Sequence, residues 1–163
     1  MSAQTSYGFS TRLDVAGGIY DLAPYAVDTF LNEENTGTMK FGVAVFSGTN
    51  VGSGIKLPVS ASTNATFEGI TTNNRTTEYD LEGVTRIVKG APVGVMRYGR
   101  IYARMATGAT PEYGDAVYVV KTGTDAGCVT DTSTDNVAIK ARFLGKNDTT
   151  NGIALIELFN EKQ

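Results

Sequence analysis

The sequence predicts an all-β protein, a compact β-barrel or sandwich with an extended N-terminal arm. Three observations predict it. Short apolar runs recur between clusters of Gly, Ser, Thr, Asn and Asp, which punctuate strands and turns rather than helices. No stretch carries the sustained 3.6-residue apolar spacing of an amphipathic helix. The first 38 residues hold many large apolar side chains but neither helical nor strand periodicity.

The 163 residues suit one ordinary domain with a core of its own and an appended arm. The arm, residues 1–38, carries Phe9, Leu13, Ile19, Tyr20, Tyr25, Phe30 and Leu31, and is interrupted by Gly17-Gly18 and Pro24. So much apolar surface does not belong on a free linker. It lies either on its own barrel as an N-terminal strand or on a partner.

The barrel domain follows over residues 39–163. Phe41-Gly42-Val43-Ala44-Val45-Phe46 reads as a strand entering a loop at Ser47–Asn50. Pro58 demotes Ile55–Val59 to an edge or a connection, because proline cannot donate to a ladder. Thr66–Thr71 is a strand holding Phe67 and Ile70, and the polar run Thr72–Glu78 is an exposed loop. Val93, Val95, Ile101, Ala103 and Met105 share one parity, with Gly99 as a bulge or bend. Val117–Val120 follows a turn at Glu112-Tyr113-Gly114-Asp115. Val137, Ile139, Ala141 and Phe143 alternate with Ala138, Lys140, Arg142 and Leu144, a half-buried strand. Ile153–Phe159 is apolar on both parities apart from Glu157, so both its faces are covered.

The composition excludes several chemistries. There is no His, which removes the commonest general base and the commonest metal ligand. The one cysteine, Cys128, sits between Gly127 and Val129 with no base to activate it, and reads as a hairpin thiol. No acid stands in a glycosidase-like motif. The acidic stretch Thr124–Asn136 lacks the spacing of a calcium loop and reads as a solvated hairpin tip. Three Asn-x-Thr triplets, at Asn64, Asn74 and Asn147, fit a glycosylation pattern by chance in a Thr/Asn-rich chain. No catalytic residue, metal site or cofactor is expected, so the protein is not read as an enzyme. The formal net charge of −3 argues against nucleic acid as a partner. No apolar run approaches the roughly 20 residues of a membrane span, and no secretory signal is recognisable at the start. A chain made in the cytoplasm is expected.

One surface stripe stands out. If Ile101, Ala103 and Met105 face the core, then Tyr98, Arg100, Tyr102 and Arg104 alternate outward. Tyr and Arg are the residue types of interface hot spots. The stripe is either a subunit interface or a cross-strand surface ladder with no partner. Stacking and phosphate contacts to single-stranded nucleic acid are a weaker use of it on an acidic protein.

The order of short motifs resembles the structural cement, or head-decoration, proteins of tailed bacteriophages. The resemblance runs from Asn32-Glu33-Glu34-Asn35 through Met39-Lys40-Phe41-Gly42-Val43-Ala44-Val45 and Phe67-Glu68-Gly69-Ile70. It continues at Tyr113-Gly114-Asp115-Ala116-Val117-Tyr118-Val119 and Phe143-Leu144-Gly145. It implies a β-barrel that binds the outer surface of the assembled capsid and bridges neighbouring major capsid proteins, as a homotrimer and without catalytic residues. The arm would then be the capsid- or neighbour-binding element, and the Tyr98–Arg104 stripe and final strand the subunit contacts. A different virion β-module, such as a tail tube, a fibre or a carbohydrate-binding spike domain, is the alternative.

Overall fold

A computed structural model describes residues 15–73, 78–79 and 85–159. Among them are eleven strands and one short 3-10 turn at Asn64–Thr66. The strands are β1 (Ala26–Asn32), β2 (Ala44–Ser47), β3 (Gly54–Lys56), β4 (Phe67–Thr71), β5 (Glu78–Tyr79) and β6 (Thr85–Arg86). They continue as β7 (Pro92–Arg104), β8 (Ala116–Val119), β9 (Val129–Thr130), β10 (Val137–Asp148) and β11 (Ile153–Phe159).

Five strands close a barrel in the order β1-β3-β2-β4-β7, because β1 also pairs with β7. β1 runs parallel to β3 and antiparallel to β7. The long strand β7 then leaves the barrel and carries a second sheet, β7-β11-β10-β8-β9. A single bridge, Met105 to Val129, returns β9 to the end of β7. The barrel contains Phe30, Met39, Val45, Ile55, Val93 and Val95. A larger core between the barrel wall and the second sheet holds Phe46, Phe67, Ile70, Met96, Phe143 and Ile156.

This layering explains the sequence pattern. Val43 and Val45 enter the barrel while Ala44 and Phe46 enter the other core, so the segment is apolar on both parities, as a strand buried on both faces must be. β11 is covered on both faces as expected, with Leu155 and Ile156 both essentially inaccessible. β10 alternates, with Val137, Ile139 and Phe143 buried and Ala138 and Lys140 exposed. The turn before β8 forms as read, with Asp115 accepting from the Glu112 amide at 2.8 Å.

Two expectations are corrected in β7 and one in β3. β7 does not keep one parity: Val93 and Val95 point into the barrel, whereas Ile101, Ala103 and Met105 point into the other core. The switch is a bulge at Arg97 and not at Gly99, since Ala26 pairs with Tyr98 and Val27 with Met96. β3 is an interior member of the barrel despite Pro58; the strand ends at Lys56, before the proline. Thr72, placed in an exposed loop, is buried and its amide donates to the Gly94 carbonyl at 2.8 Å. Residues 74–77 of that loop lie outside the described residues.

A second bulge faces the first. Val45 pairs with Gly69 and Phe46 with Phe67, leaving Glu68 as the extra residue of β4. Glu68 is 4% exposed, and Arg97 reaches it at 2.6 Å and Asp28 at 2.7 Å. The two bulge residues therefore neutralise one another across adjacent strands, as a buried charge requires. Gly69 beside them has φ 147°, and a Cβ there would stand 2.2 Å from the Met96 carbonyl oxygen.

Candidate functional site

Among the described residues, no group of three or more Cys, Asp and Glu side chains gathers as a cation site. Glu33 and Glu34, adjacent in a motif, serve separate loops. Glu33 accepts from the backbone amides of Thr49 and Asn50 at 2.7 and 2.9 Å, and Glu34 from the Leu57 amide at 3.1 Å. Those amide bonds hold the Glu33 carboxyl down at about 2, from an ordinary 4.5. Asn32, buried beside them, donates to the Val88 carbonyl and accepts from the Glu34 amide. The Asn-Glu-Glu motif thus ties the end of β1 to the β2–β3 hairpin. Burial, then the nearby Asp125, push the Cys128 thiol up, the opposite of what a nucleophile needs.

What the molecule offers instead is surface, and the Tyr98–Arg104 stripe organises it. β7 and β11 pair in register as Tyr98 with Phe159, Arg100 with Glu157, Tyr102 with Leu155 and Arg104 with Ile153. β10 adds Arg142 opposite Glu157. The stripe divides into three bands.

In the middle band, Arg100 bonds Glu157 at 3.0 Å and Asp21 at 2.8 Å, and Arg142 bonds Glu157 at 2.6 Å. Burial raises the Glu157 carboxyl, but the bonds from Arg142 and Arg100 outweigh it and hold it below its ordinary value. This is a satisfied cross-strand ladder. Toward Arg104 the face is covered. Tyr102 is 3% exposed, which corrects the expectation that it faces outward. The cause is the arm: residues 17–20 run along β7, with the Tyr102 amide donating to the Gly18 carbonyl and the Gly17 amide to the Tyr102 carbonyl. The Tyr20 ring packs edge-on against Tyr102 at 5.9 Å, and Lys146 holds the Tyr20 hydroxyl at 2.7 Å.

At the other end the face is open. Tyr98 and Phe159 are 44% and 40% exposed and stand opposite one another on β7 and β11. Tyr25, 47% exposed, lies against the other face of β7, where its Cβ stands 2.7 Å from the place a Gly99 Cβ would take, on the side of Met96. Arg142 sits over the Phe159 ring at 5.5 Å, and Ala23 and Pro24 border the Tyr98 and Phe159 rings in a shallow depression. Tyr is among the residue types enriched at interfaces.

The seven arm residues are distributed unevenly. Phe9 and Leu13 lie outside the described residues. Phe30 is in the barrel core, Ile19 packs on the second core and Tyr20 covers Tyr102. Tyr25 and Leu31 are open to solvent. Sequence reasoning missed Phe159 as the neighbour of Tyr98. Its only local signal was an aromatic ring ending a strand, and the pairing depends on the β7–β11 register.

The fold is a β-barrel carrying a second sheet, with an open aromatic pair at one end of their shared strand β7. Residues 3–159 match the family described as structural cement protein (E217 gp24/Pam3 gp6), and the chain belongs to that family of phage virion structural proteins, which is not an enzyme family. A chain from the capsid of Myoviridae phage XM1 shares the fold with a TM-score of 0.71. Its sequence identity is 19%, and the match covers 97% of this chain and 98% of that one. No curated protein sequence matches. Among the described residues no helix is long and apolar enough to cross a membrane.

Proposed function

We propose that the protein binds the outer surface of the assembled phage capsid and bridges neighbouring major capsid proteins, holding the shell together. The open aromatic pair Tyr98–Phe159, on a member of the structural cement family, carries this reading. The pair is set by the β7–β11 register, with the Arg100–Glu157–Arg142 ladder beside it, so little ordering entropy opposes its docking. A ligand that binds only the assembled shell stabilises it by mass action, and many copies compound the effect. The remaining exposed arm residues, with Phe9 and Leu13, extend the contact, and the self-association is read as a homotrimer made in the host cytoplasm.

The test is direct. Purified protein added to expanded capsids lacking it should co-sediment to saturation and raise the temperature at which they release DNA. Failure to bind expanded capsids, with assembly into tubes or binding to host polysaccharide instead, overturns the proposal. Sedimentation of the free protein as a monomer at working concentration overturns the trimer.

A further inference from the structure

We propose that the cleft between Lys40 and Arg104 is a carboxylate-binding site that takes an acidic segment of the capsid shell. The inference deepens the capsid-binding reading and rests on it for its natural partner. The cleft is a cavity of about 490 Å³ lined by Met39, Lys40, Phe41, Ile87 and Arg104, with Arg86, itself already engaged, also in its wall. Met39 and Ile87 are each 2% exposed, so the floor is firm and apolar.

Backbone bonds pin the segments that carry the cationic side chains. The Lys40 carbonyl accepts from the Thr71 hydroxyl at 2.9 Å. The Gly37 amide donates to the Ile87 carbonyl at 3.0 Å, and the Arg104 amide to the Gly42 carbonyl at 2.7 Å. Arg104 Nε donates to the Phe41 carbonyl at 2.9 Å, which turns the rest of the guanidinium toward the cleft.

Arg104 differs in its surroundings from the other arginines of the second sheet and bulge. Arg97, Arg100 and Arg142 are each matched by carboxylates, and Lys56 by Glu33. Among the described residues no carboxylate pairs with Lys40 or Arg104, although the whole chain carries a net charge of −3. A guanidinium with free terminal N–H groups beside an ammonium is suited to a carboxylate. A second cavity of about 310 Å³ shares Lys40 and Arg104 and extends the groove toward Asp125, whose carboxylate is engaged by the Thr107 amide. An extended peptide with one or two acidic side chains and an apolar neighbour fits these features. A long polyanion does not, since the overall charge repels it. Arg104 and Tyr98 lie on one strand six residues apart, roughly 20 Å, so the cleft is a site separate from the aromatic pair.

The experiment uses the full chain, hexaglutamate as the probe, and expanded capsids. By amide NMR, hexaglutamate should shift Met39, Lys40, Ile87 and Arg104, and hexalysine should not. Lys40→Gln/Arg104→Gln should lose those shifts, bind capsids about tenfold more weakly, and lose most of the salt dependence of binding. Lys40→Gln alone breaks no internal bond and should show an intermediate loss. Arg104→Lys should recover part of it. If the protein fails to bind capsids while hexaglutamate still shifts the cleft, the site stands and the capsid reading fails. Capsid binding unchanged in both Gln variants, or shifts produced by a short DNA and not by hexaglutamate, overturns the cleft and leaves the capsid reading intact.

Discussion

Replacing Tyr98 and Phe159 together by Ser removes the aromatic pair without entering either core. Tyr98 is 44% exposed and Phe159 40%. A fully covered aromatic side chain buries roughly 200 Å², so a partner that covers the exposed part of each ring removes roughly 80–90 Å² from water. At about 25 cal/mol per Å² that contributes about 2 kcal/mol per ring, a factor of ~30 in affinity for each. Binding of the Tyr98→Ser/Phe159→Ser protein to expanded capsids, read by co-sedimentation against concentration, should weaken by roughly three orders of magnitude per contact. Multivalent engagement moves the apparent loss further in the same direction. The thermal midpoint of the free protein should stay within about 3 °C of the parent, as for other surface substitutions. Capsid affinity within threefold of the parent, with the fold intact, refutes the assignment of this surface.

Three further predictions concern what holds the surface in place. Arg97→Met leaves the buried Glu68 charge without its arginine and should cost about 3 kcal/mol in urea unfolding. Arg97→Met/Glu68→Leu should recover at least half of that, and a double variant as unstable as the two singles combined contradicts the pairing. Gly69→Ala forces a Cβ against the Met96 carbonyl at positive φ and should lower the melting temperature by roughly 6–12 °C. Gly108→Ala is the control, since that glycine has a similar φ constraint but nothing within 4 Å of a built Cβ. Glu33 has a folded value of about 2 against an ordinary 4.5, so its contribution is complete above pH 4.5 and is lost as pH falls through 2. Glu33→Gln should therefore be less stable than the parent at neutral pH, with the difference shrinking below pH 4.5. A gap that is constant with pH contradicts that role.

The strands were legible because their patterns are local. Val137–Phe143 alternates because one face of β10 meets the core, and Val43–Phe46 does not alternate because β2 separates two cores. The Glu112–Asp115 turn carried its own chemistry in Gly114 and Asp115. The Arg97 bulge was hidden because a one-residue insertion changes facing without changing composition, and only the pairing of β1 with β7 shows it. Tyr102 reads as an outward stripe residue from parity alone. It is buried because residues 17–20, distant in sequence, lie along the same strand edge. The same limit governs the surface: Tyr98 meets Phe159, and Arg104 meets Lys40, across segments distant in sequence. Side chains collected by strand register leave no motif. The absence of histidine and the single cysteine, by contrast, are read from composition alone.

A cryo-electron microscopy reconstruction of expanded capsids with and without the added protein tests capsid bridging directly. It should show extra density on the outer surface where neighbouring major capsid proteins meet, with the Tyr98–Phe159 end turned toward the shell. Density confined to the tail or the capsid interior, or a decorated particle in which that pair faces solvent, would contradict the proposal.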